Sequence, residues 1–329
     1  MTPRATVIIP THDHGPTLSF AARTALDQTV ADIELFIIGD GAPGVTRDIV
    51  AGLMRDDGRV RFFDFPKGPR LGEAYRHEVL AEARAPIVCY LSDDDLWFPD
   101  HVATMESLLR DADFVHALSV RIERDGTLVP GNTIDFRIPG ARELALSATL
   151  ALGGAPLSCM AHTLAIYRQL PRGWHTTPKG VATNVHMTRQ FVAHPACRLA
   201  NATRPTLLRF PNFLRRTWTL QQRVDELARW APLAANPAWR AALPDQVLDG
   251  LLRVTAARWA EIRRLEVKEE RMRAAAARAA SRIEAQRRKV ESLEAKLTAA
   301  RTKLAAERQR RATEETAAHG PLARLRRLF

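Results

Sequence analysis

The chain has 329 residues, 46% of them apolar, enough for one large α/β domain with an appendage and too apolar for wholesale disorder. Its net charge is +11, but residues 263–329 hold 19 Lys/Arg against 9 Asp/Glu (net +10), while residues 1–262 hold 29 against 28 (net +1). The basic character therefore belongs to the tail and says nothing about what the body binds.

Residues 6–10 (Thr-Val-Ile-Ile-Pro) predict a short buried strand, closed by Pro10. A helix is expected over 16–30, then a second buried strand over 33–38 that ends in the turn-forming run Gly39-Asp40-Gly41-Ala42-Pro43-Gly44. Residues 45–55 predict a helix, 59–65 a strand, Pro66–Gly72 a loop, and the next helix runs to about Ala83. Residues 86–91 (Pro-Ile-Val-Cys-Tyr-Leu) predict a further buried strand that ends at Ser92-Asp93-Asp94-Asp95. Strands alternating with helices at this spacing define βαβ units and a mostly parallel, Rossmann-type sheet flanked by helices. Ligands of such sheets bind beyond the carboxyl ends of the strands. Asp40 and Asp93–Asp95 both sit at such ends, so they are expected in one cleft although some fifty residues separate them.

Residues 114–138 predict a β-rich insert turning at Asp125-Gly126, and 140–215 a mixture of helix and strand. Residues 217–252 are helical in pattern, interrupted by prolines at 232, 237 and 244. From Ile262 onward a seven-residue repeat takes over. Of the fourteen seam positions (262, 269, 276, 283, 290, 297, 304 and 265, 272, 279, 286, 293, 300, 307), eleven are apolar, and no Gly or Pro falls between 262 and 312. This predicts a long helix of coiled-coil character and, with it, a homo-oligomer. Gly320-Pro321 closes the repeat before a short basic amphipathic end. The expected division is a body over 1–215 (nucleotide-binding half 1–110, acceptor half 111–215), a helical region over 216–260, a long helix over 261–312 and the basic end over 313–329.

Cys89, Cys159 and Cys197 are isolated, which excludes a paired-cysteine zinc site and a disulfide framework and fits a reducing, cytoplasmic setting. The N-terminus has no basic stretch leading into an apolar core, so no signal peptide is expected. The longest weakly polar stretch, Leu144–Tyr167, is broken by Gly153, Gly154, Pro156 and His162, which excludes a membrane span. The basic end adds an expected peripheral contact with the inner face of a membrane. It lacks interleaved aromatics, so nucleic acid is not the expected partner.

Three adjacent aspartates repel one another unless a cation neutralises them. At the end of a buried strand the natural solution is Mg²⁺ or Mn²⁺, which takes one or two carboxylates and completes its shell with substrate phosphates. The bland alternative is an acidic loop that caps the next helix.

Thr6–Asp13, Asp27–Thr29 with Ile33–Gly41, and Tyr90–Asp100 (Tyr-Leu-Ser-Asp-Asp-Asp-Leu-Trp-Phe-Pro-Asp) together resemble, in order and spacing, the three N-terminal motifs of family 2 glycosyltransferases, most nearly the spore-coat polysaccharide type. The likeness is good over about 5–110, looser over 111–215, and absent from the tail. It implies a GT-A fold and metal-assisted transfer, with inversion, of a sugar from a nucleoside-diphosphate donor, expected to be a UDP-sugar, to a glycan or lipid-linked hydroxyl. Carried over by position, Pro10, Thr11, His12 and Asp13 would line the nucleobase pocket and Asp40 would accept the imide N–H of uracil. Asp93 would touch the ribose or the metal shell, and Asp94, with Asp95, would hold the metal. Lys67, Arg70 and Arg76 flank the Gly-rich loop and are candidates for the diphosphate. Ser92 replaces the first Asp of the usual Asp-x-Asp, as in the spore-coat type. Where the family places its catalytic Asp, this chain has Asn184, and an amide cannot take a proton; His186 or His175 is the candidate substitute. His162 is a candidate for the acceptor side, and Trp97 is expected to pack beneath the metal loop. Asn184 also motivates an alternative, a catalytically impaired sugar-nucleotide-binding scaffold. A nucleotidyltransferase is less favoured, since no glycine follows the first strand until Gly15, as is a nucleic-acid-binding coiled-coil protein.

Overall fold

A computed structural model describes residues 2–131, 134–147 and 154–319, with side chains as far as 316. The chain divides into two compact units, Met1–Thr255 and Ala256–Phe329.

The first unit opens with β1 (Ala5–Thr11), α1 (Gly15–Leu26), β2 (Ile33–Asp40), α2 (Gly44–Asp56), β3 (Val60–Phe65), α3 (Glu73–Leu80) and β4 (Ile87–Tyr90). β5 (Leu96–Trp97), α4 (His101–Leu108), β6 (Phe114–Ile122), β7 (Leu128–Pro130) and α5 (Pro139–Leu146) follow. The unit continues with β8 (Met160–Thr163), α6 (Leu164–Tyr167), α7 (Thr183–Ala193), β9 (Leu199–Arg209), α8 (Leu220–Ala235), α9 (Pro237–Ala241) and the start of α10 (Leu243–His319).

Among the described residues, the strands form one sheet in the order β3-β2-β1-β4-β8-β6-β9-β5, with β7 beside β6. The first four are parallel; β8 runs antiparallel between β4 and β6. The α/β reading of the sequence therefore holds, with a mixed half from β8 onward. The reason for the parallel half is visible in β1 and β2, which are buried on both faces. Ala5, Val7, Ile9, Ile33, Leu35 and Ile37 enter one core with α1 residues Leu18, Ala21, Ala22 and Ala25. Ile8, Phe36 and Ile38 enter a second core on the opposite face with Val79, Leu80, Met187 and Phe191. Two-residue periodicity sends alternate side chains to opposite faces, so a run of apolar residues fills both layers.

α1 ends at Leu26, short of the expected 30, because Gln28 is used elsewhere. Its amide donates to the carbonyls of Thr24 and Phe98 and its oxygen accepts the Val102 N–H, tying the outgoing chain to the segment after β5. α3 likewise ends at Leu80 rather than 83.

The segment 216–260, expected as a separate helical region, contributes to the body. Leu227, Trp230 and Ala234 of α8 and Leu243 pack with Leu96, Phe98, Val120, Ile122, Leu208 and Phe210 in a third core. Pro232 lies inside α8, while Pro237 and Pro244 stand at helix starts, where a missing N–H costs nothing.

The second unit is the continuation of α10. Its seam residues are exposed, among them Met272 (63%), Ile283 (65%), Leu293 (56%) and Leu304 (52%). Residues 320–329 of the expected basic end lie outside the described residues.

Candidate active site

β1 lies between β2 and β4, so successive connections leave it in opposite directions and a crevice opens at the carboxyl ends of these strands. Thr11 ends β1, Asp40 ends β2, and Ser92–Asp95 follow β4; Thr11 is paired in register with Gly39. The convergence expected from sequence is thus a consequence of strand order.

Thr11 donates its hydroxyl to Asp93 Oδ2 at 2.7 Å, and His14 Nδ1 lies 3.3 Å from Asp93 Oδ1. His14, Asp93 and Asp94 each offer a ligand atom, and these atoms all lie within 4.8 Å of one another. Asp94 is pushed up to about 8, first by burial and then by the carboxylates of Asp95 and Asp93. The hydrogen bond to Asp93 raises His14 to about 9 against the cost of its burial, with Asp94 and Asp13 adding to the effect. Sequence reasoning passed over His14. The available signal was position: it lies three residues beyond the end of β1, at the same sheet edge as the aspartates.

Asp95 does something else. Its Oδ2 accepts the Ser158 hydroxyl at 2.5 Å and its Oδ1 accepts the Phe210 N–H at 2.9 Å. It is outside the His14–Asp93–Asp94 group. Ser158 also accepts the Ser92 N–H at 3.0 Å, and its carbonyl accepts Trp97 Nε1 at 3.0 Å. Asp95 thus ties the acidic turn to the segments before β8 and after β9 instead of facing the cluster. Trp97, 1% exposed and stacked on His101, packs beneath the loop as expected.

At the β2 end, Asp40 is 5% exposed. Lys67 Nζ lies 2.5 Å from Oδ2, and the Gly68 N–H donates to Oδ1 at 2.6 Å. His12 Nδ1 is 2.7 Å from the Asp40 carbonyl, so the ring donates there. Pro10 is half-buried in β1 and Asp13 is exposed. Gly72 makes this packing possible. At φ +58° it adopts a left-handed conformation, and a Cβ would stand 2.6 Å from Asp40 Cγ.

Arg70 is engaged by backbone carbonyls. Its guanidinium donates to the carbonyls of Thr177, Pro178 and Val181, stitching the Gly-rich loop to the segment before α7. Arg76 is 4% exposed, with its guanidinium 5.0 Å from the Trp174 ring. Its Nε and Nη1 have no hydrogen-bond partner among the described residues, and burial lowers its pKa, opposed by the charges of Glu73 and Asp40. Glu73, fully buried, accepts the Thr183 hydroxyl at 2.9 Å. Burial works to raise its carboxyl, but hydrogen bonds, including one from Thr183, outweigh that and hold it low.

Asn184, in the first turn of α7, donates Nδ2–H to the Ala155 carbonyl at 3.0 Å. His186 Nε2 lies 2.9 Å from His175 Nε2, so the two rings share one proton, and burial followed by the proximity of His175 lowers His186. They line a groove of about 440 Å³ with Arg172, Arg189 and Pro171. Asp40, Asp93 and Asp94 are not among the residues that line that groove. His162, fully buried, pairs with Tyr90 Oη at 2.8 Å and is lowered to about 4 by burial. It is a core histidine.

The sequence matches glycosyl transferase family 2 over residues 6–169, and the chain belongs to that family. It is 25% identical over 130 residues to a GalNAc(5)-diNAcBac-PP-undecaprenol β-1,3-glucosyltransferase of Campylobacter jejuni, covering 38% of this chain and 41% of the relative. It is 28% identical over 135 residues to an uncharacterized glycosyltransferase of Nostoc sp., covering 40% and 41%. The chain thus spans about two fifths of these curated relatives. Among solved structures, a mannosyltransferase of Pyrobaculum calidifontis in complex with GDP-Man and Mn²⁺ is 18% identical, with 79% and 76% coverage and a TM-score of 0.45. The S. aureus protein TarS (residues 1–349) in complex with UDP-GlcNAc is 12% identical, with 75% and 72% coverage and a TM-score of 0.48.

Proposed function

We propose that this glycosyltransferase moves a hexose, with inversion, from a uridine diphosphate donor to a hydroxyl of a glycan or lipid-linked acceptor. The observation that carries the reading is the convergence of Asp40, Asp93 and Asp94 on one crevice at the carboxyl ends of β1, β2 and β4. The C. jejuni relative, named for a lipid-linked acceptor and a glucosyl group, supports this acceptor class.

Asp93 and Asp94 suit Mn²⁺ or Mg²⁺, being hard oxygen donors that leave most of the shell to phosphates. When bound, such an ion supplies positive charge against the departing diphosphate. Thr11 fixes the Asp93 carboxylate through its hydroxyl. Asp40 offers an acceptor at the depth of the crevice. A uracil imide N–H takes the place of Lys67 there, and the released ammonium is free to meet phosphate. Asn184 aligns an acceptor hydroxyl by hydrogen bonding.

Calorimetric titration with UDP, with and without Mn²⁺, on wild type, Asp40→Ala and Asp94→Ala tests the reading. Metal-dependent binding lost in both variants is expected. Binding indifferent to metal and to both aspartates overturns it. A second reading, motivated by Asn184, is a sugar-nucleotide-binding scaffold that does not turn over. It predicts donor binding with no transfer or donor hydrolysis, and any turnover abolished by Asp94→Ala refutes it.

A further inference from the structure

We propose that His14 is a third protein ligand of the divalent ion and that its nitrogen makes the site favour Mn²⁺ over Mg²⁺. The proposal rests on the assignment of Asp93 and Asp94 to a metal. His14 occupies the N-cap of α1, where a polar side chain usually accepts a backbone N–H of the first turn. Here the side chain makes no capping hydrogen bond, and the imidazole turns toward Asp93 instead. Ligand atoms about 2.1 Å from one ion lie about 3 Å apart when adjacent and about 4.2 Å when opposite. The three atoms of His14, Asp93 and Asp94 already lie within 4.8 Å of one another, close to the spacing that one ion requires. Asp95, the other candidate, is committed to Ser158 and Phe210, and Ser92 stands where a further carboxylate would be. Imidazole is a better ligand for later first-row ions than for Mg²⁺, which prefers all-oxygen shells and retains its waters.

The test uses the full chain with Mn²⁺ alone and Mg²⁺ alone, by calorimetry and by electron spin-echo spectroscopy of bound Mn²⁺. Outer partners of a metal ligand already cost about 10–100-fold in affinity when removed. His14→Ala is therefore expected to weaken Mn²⁺ at least about tenfold, to change Mg²⁺ by less than about threefold, and to abolish the ¹⁴N modulation seen in wild type. Wild-type Mn²⁺ binding that needs Asp94 but shows no ¹⁴N modulation and is unchanged by His14→Ala overturns the proposal while leaving the metal assignment standing. Absence of Mn²⁺ binding, or binding indifferent to Asp94→Ala, sinks both.

A separate observation concerns α10. Its charge pattern points to an antiparallel pairing with a second copy of this chain. In a parallel, in-register pair, five of the six charged flanking contacts oppose like charges: 261/266, 268/273, 282/287, 296/301 and 303/308, with only Lys289/Glu294 favourable. Glu269 and Glu307 face their own copies in the seam, and Ala276 and Ala279 give two successive underfilled layers. With Ile262 opposite Glu307 in the antiparallel sense, Glu261/Arg310, Glu266/Arg301 and Arg273/Glu294 become opposite-charge pairs, against Lys268/Lys303 and Arg282/Lys289. Ala276 then meets Leu293, Ala279 meets Val290, and no Glu faces Glu. The strict seven-residue period suits a helix partner better than a flat membrane, because on a straight helix such a stripe drifts about 20° per heptad.

Single cysteines test this, since the native Cys89, Cys159 and Cys197 are buried. Glu269→Cys mixed with Ala300→Cys is expected to cross-link, and neither alone, because the two copies of residue 300 would lie about 47 Å apart. Arg273→Glu is expected to raise the dimer dissociation constant about three- to tenfold, since two symmetric pairs reverse sign. Cross-linking of Ala300→Cys alone means a parallel pair and overturns the proposal. A monomer in ultracentrifugation also overturns it and leaves an acidic foreign helix as the occupant.

Discussion

Asp95→Ala separates the two roles mixed in the acidic turn. Asp95 accepts two buried donors, the Ser158 hydroxyl and the Phe210 N–H, with Arg209 Nε 3.9 Å away. Removing the acceptor strands both donors, each costing about 1–3 kcal/mol, and some of this returns because a buried carboxylate no longer needs to be held. The net expectation is a loss of about 2–4 kcal/mol. Asp94→Ala removes one of three crowded carboxyl groups and breaks no hydrogen bond among the described residues, so its stability is expected within about 0.5 kcal/mol of wild type. Urea unfolding in the presence of EDTA, followed by tryptophan fluorescence, reads both, since Trp97 and Trp174 are buried in the body. Mn²⁺ titration of the same samples completes the comparison, with Asp94→Ala losing the ion. The reasoning fails if Asp95→Ala is as stable as Asp94→Ala and loses the ion equally, for Asp95 would then be a ligand and not a tie.

Three further outcomes are expected. Arg215 and Glu226, 1% and 5% exposed, form a buried bidentate pair, so Glu226→Gln leaves a buried guanidinium underpaired and costs about 3–5 kcal/mol, read as a lowered urea midpoint. A Glu226→Gln midpoint equal to wild type would refute this. Burial lowers His101 to about 3 and His162 to about 4, so below pH 6.5 the unfolded chain binds protons the folded chain refuses. Their contribution is therefore fully present above pH 6.5 and lost toward pH 4, at up to about 1.4 kcal/mol per pH unit for each; His162→Gln should remove one such share from the acid slope, and an unchanged slope contradicts it. Gly72→Ala forces a Cβ against Asp40 at a positive φ, so it should cost at least about 1–2 kcal/mol and abolish UDP binding together; UDP binding of wild-type strength would show that Asp40 has room to move.

Much of the crevice was legible because it follows from strand order. Two apolar runs ending in acid at residues 40 and 93 already imply convergence once the sheet is parallel, and the register of β1 with β2 and β4 delivers it. What remained hidden depends on partners distant in sequence. Nothing local distinguishes Asp94 from Asp95. The difference is made by Ser158, 63 residues on, and Phe210, 115 residues on, which claim one carboxylate and leave the other facing its neighbours. The surroundings of Arg70 were hidden for a similar reason. A basic residue beside a glycine-rich loop is an equally good donor to carbonyls, and the segment 177–181 supplied them.

The position of His186 carries a consequence for the acceptor side. Its ring shares a proton with His175, and the two rings line one groove with Arg172 and Arg189. Glu73 and Thr183 instead link α3 to α7, and Arg70 links the Gly-rich loop to the residues just before α7. On the proposed reading, in which Asp40 exchanges Lys67 for a nucleobase, a shift of the Gly-rich loop would pass through these contacts to the turn that carries Asn184. The expectation is that donor binding and acceptor positioning are coupled through Arg70 and Glu73. Arg70→Ala should weaken the acceptor KM more than it changes the affinity for UDP, whereas a residue that gripped the diphosphate directly would show the opposite.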